Sequence, residues 1–88
     1  MTDHLIQVNE VRHVRGYTLR VWFSNGAVRD VDLAEELWGE MFEPLKDPAF
    51  FAKAYVDPET CAVTWPNGAD VAPDTLFAMG KDTGQEAA

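Results

Sequence analysis

Two aspartates four residues apart, Asp70 and Asp74, are the best-placed pair of titratable groups in this chain. Paired carboxyls divide into general acid and general base when their surroundings push their pKa values apart. They follow Trp65, Asn67 and Gly68, so Trp65, Asn67, Gly68, Asp70 and Asp74 together make the candidate binding surface. A plainer reading competes with it and is favoured. Asp74 caps a helix, Asp70 stabilises a turn or an ion pair, Asn67 and Gly68 serve backbone geometry, and Trp65 fills the core of a domain short of interior.

Other chemistry finds less support. Cys61 needs a base and an orienting group to act as a nucleophile, and only a tertiary contact brings His13 to it; a buried structural thiol is the simpler expectation. One Cys with His4 and His13 does not supply the four-ligand set of a zinc site, so neither metal nor cofactor is expected. No phosphate-binding glycine loop or serine elbow is present. With no catalytic constellation, the chain reads as a non-enzyme.

A third constellation points to binding. Glu35, Glu36, Glu40 and Glu43 are interleaved with Trp38, Met41 and Phe42. Apolar side chains set among acids form a docking ridge for a basic partner, whereas in an ordinary amphipathic element the acids are solvated and the apolar residues are core. The ordinary reading is favoured here.

The elements that position these groups are legible from pattern. Leu5–Val14 reads as a strand whose apolar phase changes, which a bulge or a bend near Asn9–Glu10 reconciles. Tyr17–Phe23 alternates cleanly, with Tyr17, Leu19, Val21 and Phe23 on one face. Ser24-Asn25-Gly26 closes a hairpin. A two-residue turn sets Asp30 and Asp32 on the apolar face; a three-residue loop with Gly26 left-handed instead pairs Leu19 with Val31 and Arg20 with Asp30, and so is preferred. That register leaves Arg29 on the apolar face without an obvious place.

Asp32-Leu33-Ala34-Glu35 has capping-box spacing and predicts a short helix to Trp38, stopped by Gly39. Asp47-Pro48 opens a second helix. Cys61–Trp65 is expected to be a strand, and Asp74 to cap a final helical turn, Thr75–Met79, stopped by Gly80. Residues 1–80 form one domain, and 81–88 a disordered tail. No internal repeat or linker is apparent. The expected architecture is α+β: a small antiparallel sheet of about five strands with two or three short helices.

Composition narrows the class. At 88 residues and 47% hydrophobic content the chain is one globular domain with a small core. A lone cysteine precludes an internal disulfide. With no apolar run long enough for a membrane and no secretory signal at Met-Thr-Asp-His-Leu, the expected location is the cytoplasm. The net charge is −8, with the thirteen acids and three lysines of residues 30–88 set against four arginines and two acids before them. Such a surface disfavours nucleic acid and suits a basic protein. Sequence-independent nucleic-acid contact through Arg12, Arg15, Arg20 and Arg29 is the weakest reading.

Several of these motifs coincide with those of a known family. Val-x-x-Val-x-x-Val precedes Tyr17-x-Leu19-x-Val21-x-Phe23-x-Asn25-Gly26. Leu45-x-Asp47-Pro48-x-x-Phe51 follows, then Trp65-Pro66-Asn67-Gly68-Ala69-Asp70 and Pro73-Asp74-x-Leu76. From Val8 to Met79 the chain resembles the small bacterial domain-of-unknown-function family numbered 2442. The resemblance implies a compact α+β domain and no known reaction. It implies short bacterial proteins often encoded beside another small uncharacterised or toxin-like protein; some members add a helix-turn-helix, for which no room is expected in this chain, so a DNA-reading role is not expected to carry over. The leading expectation is therefore a protein-interaction module, antitoxin-like towards a small basic partner encoded nearby. The alternative is a small-ligand binder or enzyme at Trp65, Asn67, Asp70 and Asp74. An uncovered sheet edge also leaves homodimer formation open.

Overall fold

The first three strands fold as a meander because their apolar residues alternate and their turns are short. In the computed structural model, which describes residues 6–82, these are β1 (Val8–Arg15), β2 (Thr18–Phe23) and β3 (Val28–Asp32). The β1–β2 register shifts between Val8 and Glu10, so the change of apolar phase is a bulge at Asn9; a second shift falls between His13 and Arg15. Between β2 and β3, Leu19 faces Val31 and Arg20 faces Asp30, the register of the three-residue loop. Gly26 there has φ +91°, a conformation that costs glycine little and other residues more.

The expectation of one sheet is corrected to two. A second antiparallel sheet comprises β4 (Tyr55–Val56), β5 (Val63–Thr64) and β6 (Asp70–Val71), in that order. The meander is extended at its β3 edge by β7 (Lys81–Asp82). Those two residues belong to the folded domain rather than to the expected tail; 83–88, like Leu5 and His4, lie outside the described residues. Two sheets replace one because Pro48, Pro58, Pro66 and Pro73 interrupt the second half and limit its strands to two residues each.

The helices are fewer-turned than the pattern suggests. Ala34–Glu36 is a single 3-10 turn, not a helix reaching Trp38. The Asp32 carboxylate accepts from Ala34 N at 2.9 Å, an Asx turn that begins before the helix, and no capping box forms. Glu43–Lys46 is another 3-10 turn. Helix α1 (Pro48–Phe51) starts as expected, with the Asp47 side chain accepting from Ala49 N. Helix α2 runs Pro73–Met79 and starts at its proline, so Ala72 rather than Asp74 occupies the cap position. The fixed φ of Pro73 preorganises that first helical residue, and Asp74 falls inside the turn.

The core lies between the sheets and under the connecting turns. Leu19, Val21, Phe23 and Val31 from the meander meet Val63, Trp65, Phe51, Leu45 and Leu76, all buried. Arg29, on the apolar face, is accommodated by α2. Its guanidinium carbon sits 3.7 Å from the Phe77 ring centroid, and Nη1 donates to the Phe77 carbonyl at 2.6 Å. A cation over an aromatic face and beside the last carbonyls of a helix is favourable on both counts.

Candidate functional site

The segment from Leu33 to Leu45 is anchored at three points and exposed between them. Leu33, Leu37 and Leu45 are buried, while Gly39 (φ +92°) turns the chain outward. On the outward stretch Trp38 is 71% exposed and Met41 47% exposed, with Phe42 half-buried behind them. Glu35, Glu36, Glu40 and Glu43 are all exposed around these side chains. The favoured expectation, that the apolar residues of this run are core, is thus corrected for Trp38 and Met41. Of the apolar side chains between Leu37 and Leu45, Phe42 alone packs against the core.

The Trp-Pro-Asn-Gly turn supports this ridge. Asn67 Nδ2 donates to the Met41 carbonyl at 2.9 Å, and Asn67 Oδ1 accepts from Ala69 N at 3.1 Å. Gly68 (φ +94°) lies close enough that an added Cβ would stand 3.6 Å from Met41 Cε. The turn is the hairpin solution of the meander used again. Phe23 N donates to Ala27 O and Gly26 N to Phe23 O; Trp65 N donates to Ala69 O and Gly68 N to Trp65 O. In both, the asparagine carbonyl accepts from the alanine amide two residues on. The expectation of no internal repeat is corrected to this extent: aromatic-x-Asn-Gly-Ala recurs at Phe23–Ala27 and Trp65–Ala69.

Beside the ridge is an open groove of about 370 Å³, with Leu33, Leu37, Trp38, Phe42, Val71 and Met79 as its apolar lining and Glu36 and Asp70 among its polar groups. A larger recess of about 590 Å³ is walled by Arg15, Thr18, Asp30, Asp32, Glu35 and Glu36. Two of its carboxylates have partners: Asp30 is bound by Arg20, and Asp32 accepts from Ala34 N. Asp30 is held below the usual carboxylate range chiefly by its hydrogen bond from Arg20, against the opposing effect of burial, with the Arg20 and Arg15 charges adding to the lowering. Arg20 meets both Asp30 oxygens, at 2.8 and 3.1 Å.

The five sequence-selected residues are dispersed by the fold. Trp65 is 0% exposed and its indole N–H donates to the Phe51 carbonyl at 2.9 Å, so its ring belongs to the core. Asn67 and Gly68 hold the ridge. Asp70 lines the groove, whereas Asp74 is exposed on α2 and accepts from Thr75 N at 2.9 Å. Cys61 is half-buried at φ +57° in the turn before β5, not in a strand; its amide donates to Asp57 O and its carbonyl accepts from Val8 N. The His13 Nε2 is 2.9 Å from the Gly16 carbonyl, and its ring meets Phe51 edge-on. Among the described residues no cluster of His, Cys, Asp or Glu is placed to hold a metal ion, and no helix is long and apolar enough to cross a membrane.

The fold and the ridge define an acidic α+β domain of two small antiparallel sheets, joined by turns that present an apolar patch. The chain belongs to the family described as protein of unknown function (DUF2442), whose model matches residues 8–82. Its fold is shared with a crystal structure of a "Putative DNA Binding Protein" from Nitrosomonas europaea ATCC 19718, at a TM-score of 0.75 and 24% sequence identity. That likeness covers 93% of this chain and 52% of the other, so this chain spans about half of its length. No curated protein matches the chain.

Proposed function

We propose that this domain is a non-enzymatic protein-interaction module whose contact surface is the Trp38–Met41 ridge with its surrounding glutamates. The carrying observation is the 71% exposure of Trp38 in a chain that buries Trp65 completely. Leaving a large aromatic in water forgoes about 2 kcal/mol of burial, which a partner surface would recover. The acids around it favour a basic partner and speed the encounter. An antidote-like role, in which a small basic protein is held through this face, fits the same chemistry.

Two rival readings have less behind them. For a ligand or enzyme site at Trp65, Asn67, Asp70 and Asp74, Trp65 is enclosed and of the four only Asp70 lines the groove. DNA contact, as in the description of the structural neighbour, calls for a cationic face. Here Arg12 is 3.2 Å from Glu10, Arg20 binds Asp30, Arg29 lies over Phe77 and Arg15 borders an acidic recess.

The test is co-purification of the tagged chain with the protein encoded beside it, in wild-type form and as Trp38→Ala/Met41→Ala. The expected result is a complex that weakens with salt and is lost in the double variant. A complex indifferent to both changes, or none at low salt, refutes the assignment.

A further inference from the structure

We propose that the groove beside the ridge seats an apolar side chain of a basic peptide segment, with Glu36 and Asp70 pairing with flanking Lys or Arg. This rests on the interaction reading above and specifies the chemistry of the partner. Four observations converge on it. The walls contributed by Leu33, Leu37, Phe42 and Val71 are apolar, and Trp38 forms a side that is exposed for much of its area. At about 370 Å³ the groove is near the lower end of the roughly 300–1,000 Å³ of ligand sites, so it suits one or two side chains better than a cofactor.

Its charge is of one sign. Glu36 and Asp70 are the ionisable residues lining it, and Glu35 and Glu40 are exposed next to it in sequence. An anionic or purely apolar occupant would leave that field unanswered, whereas Lys and Arg carry an aliphatic stem along apolar surface to a charged tip. Finally, one end of the ridge is adaptable. Met41 is 47% exposed and has an unbranched, polarisable side chain that conforms to different partners. A second copy of the chain is a poorer occupant, because it carries the same net charge of −8 and would meet the acidic groove with like charge.

Amide-resolved NMR titration of the full chain with three short synthetic peptides tests the proposal. One alternates Leu and Lys in amphipathic order, one is oligolysine of equal charge, and one replaces each Lys of the first with Glu. The Leu/Lys peptide is expected to bind about tenfold or more tighter than oligolysine, with shifts centred on Leu37, Trp38, Val71 and Met79. Trp38→Ala and, independently, Glu36→Lys/Asp70→Lys should each weaken it by about tenfold. These positions are exposed, so the variants keep their fold.

Equal binding of Leu/Lys peptide and oligolysine, with shifts confined to the glutamates, overturns the groove proposal while leaving the acidic-face reading intact. Equal binding of the Leu/Glu peptide overturns the charge pairing. Shifts mapping to the outer face of the meander overturn the location, and no binding by either cationic peptide overturns the groove proposal and the acidic-face reading together.

Discussion

Replacing Trp65 by Phe separates the two roles that tryptophan plays in this domain. The substitution removes an indole N–H that donates to the Phe51 carbonyl at 2.9 Å inside the core. That carbonyl retains the Ala54 amide at 3.3 Å, so the loss is that of one net hydrogen bond, about 1 kcal/mol, rather than of an orphaned acceptor. The smaller ring gives up roughly 40 Å² of buried apolar area, worth about 1 kcal/mol at ~25 cal/mol per Å². A void of a few tens of Å³ adds a further ~1 kcal/mol, because the tilted Phe51 ring, 5.7 Å away between centroids, is itself buried and cannot collapse onto it. The sum, about 3 kcal/mol, lowers Tm by on the order of 15 °C in a domain of this size. Trp38→Phe, at a site 71% exposed, should change stability by less than about 0.5 kcal/mol. Urea unfolding followed by far-UV circular dichroism measures both, with an unchanged m-value required for the comparison. Equal losses for the two variants, or a loss below about 1 kcal/mol at Trp65, would refute the enclosure of the Trp65 ring and with it the assignment of Trp38 as the surface aromatic.

Other outcomes follow from particular contacts. Gly80→Ala should cost about 1–3 kcal/mol, because its Cβ would stand 2.7 Å from Arg29 Cβ and 3.2 Å from Val31 Cγ2; thermal melts give the value, and a neutral result would show that α2 does not press on β3. Asn67→Ala removes the bond to the Met41 carbonyl and should cost about 1 kcal/mol while raising amide exchange at residues near Met41; unchanged exchange would remove the turn's role as a support. Asp30→Asn loses a cross-strand ion pair and should cost about 0.5–1 kcal/mol at neutral pH. Because Arg20 depresses the folded-state pKa of Asp30, this contribution is complete above the unfolded value of 3.8 and disappears as pH falls through the lower folded value. Denaturation measured from pH 7 downward should therefore show the variant and wild type converging in acid, and a constant gap would contradict the pairing.

Much of the meander could be read from residue order. The alternation from Tyr17 to Phe23 fixed which face is buried, and the need to keep Asp30 and Asp32 off that face selected the three-residue hairpin over the two-residue one. The bulge at Asn9 was implied by the change of apolar phase. These are local decisions, made between residues close in the chain, where backbone geometry and a period of two leave few solutions.

Residue order alone thus settled the register of β2 against β3, the start of α1 at Asp47-Pro48 and the two Asn-Gly turns. Which apolar residues were left outside was settled by long-range packing. Trp65 and Trp38 are alike in type and both stand beside acids or turns, yet one is sealed by Phe51 and the other is turned outward between buried Leu37 and Leu45. The same holds for Arg29, whose partner Phe77 is 48 residues away, and for Asp70 and Asp74, separated by the start of α2 at Pro73. Burial depends on how much core volume distant segments leave to be filled, and that quantity is set by the assembled fold, not by the identity of a residue or its neighbours in the chain.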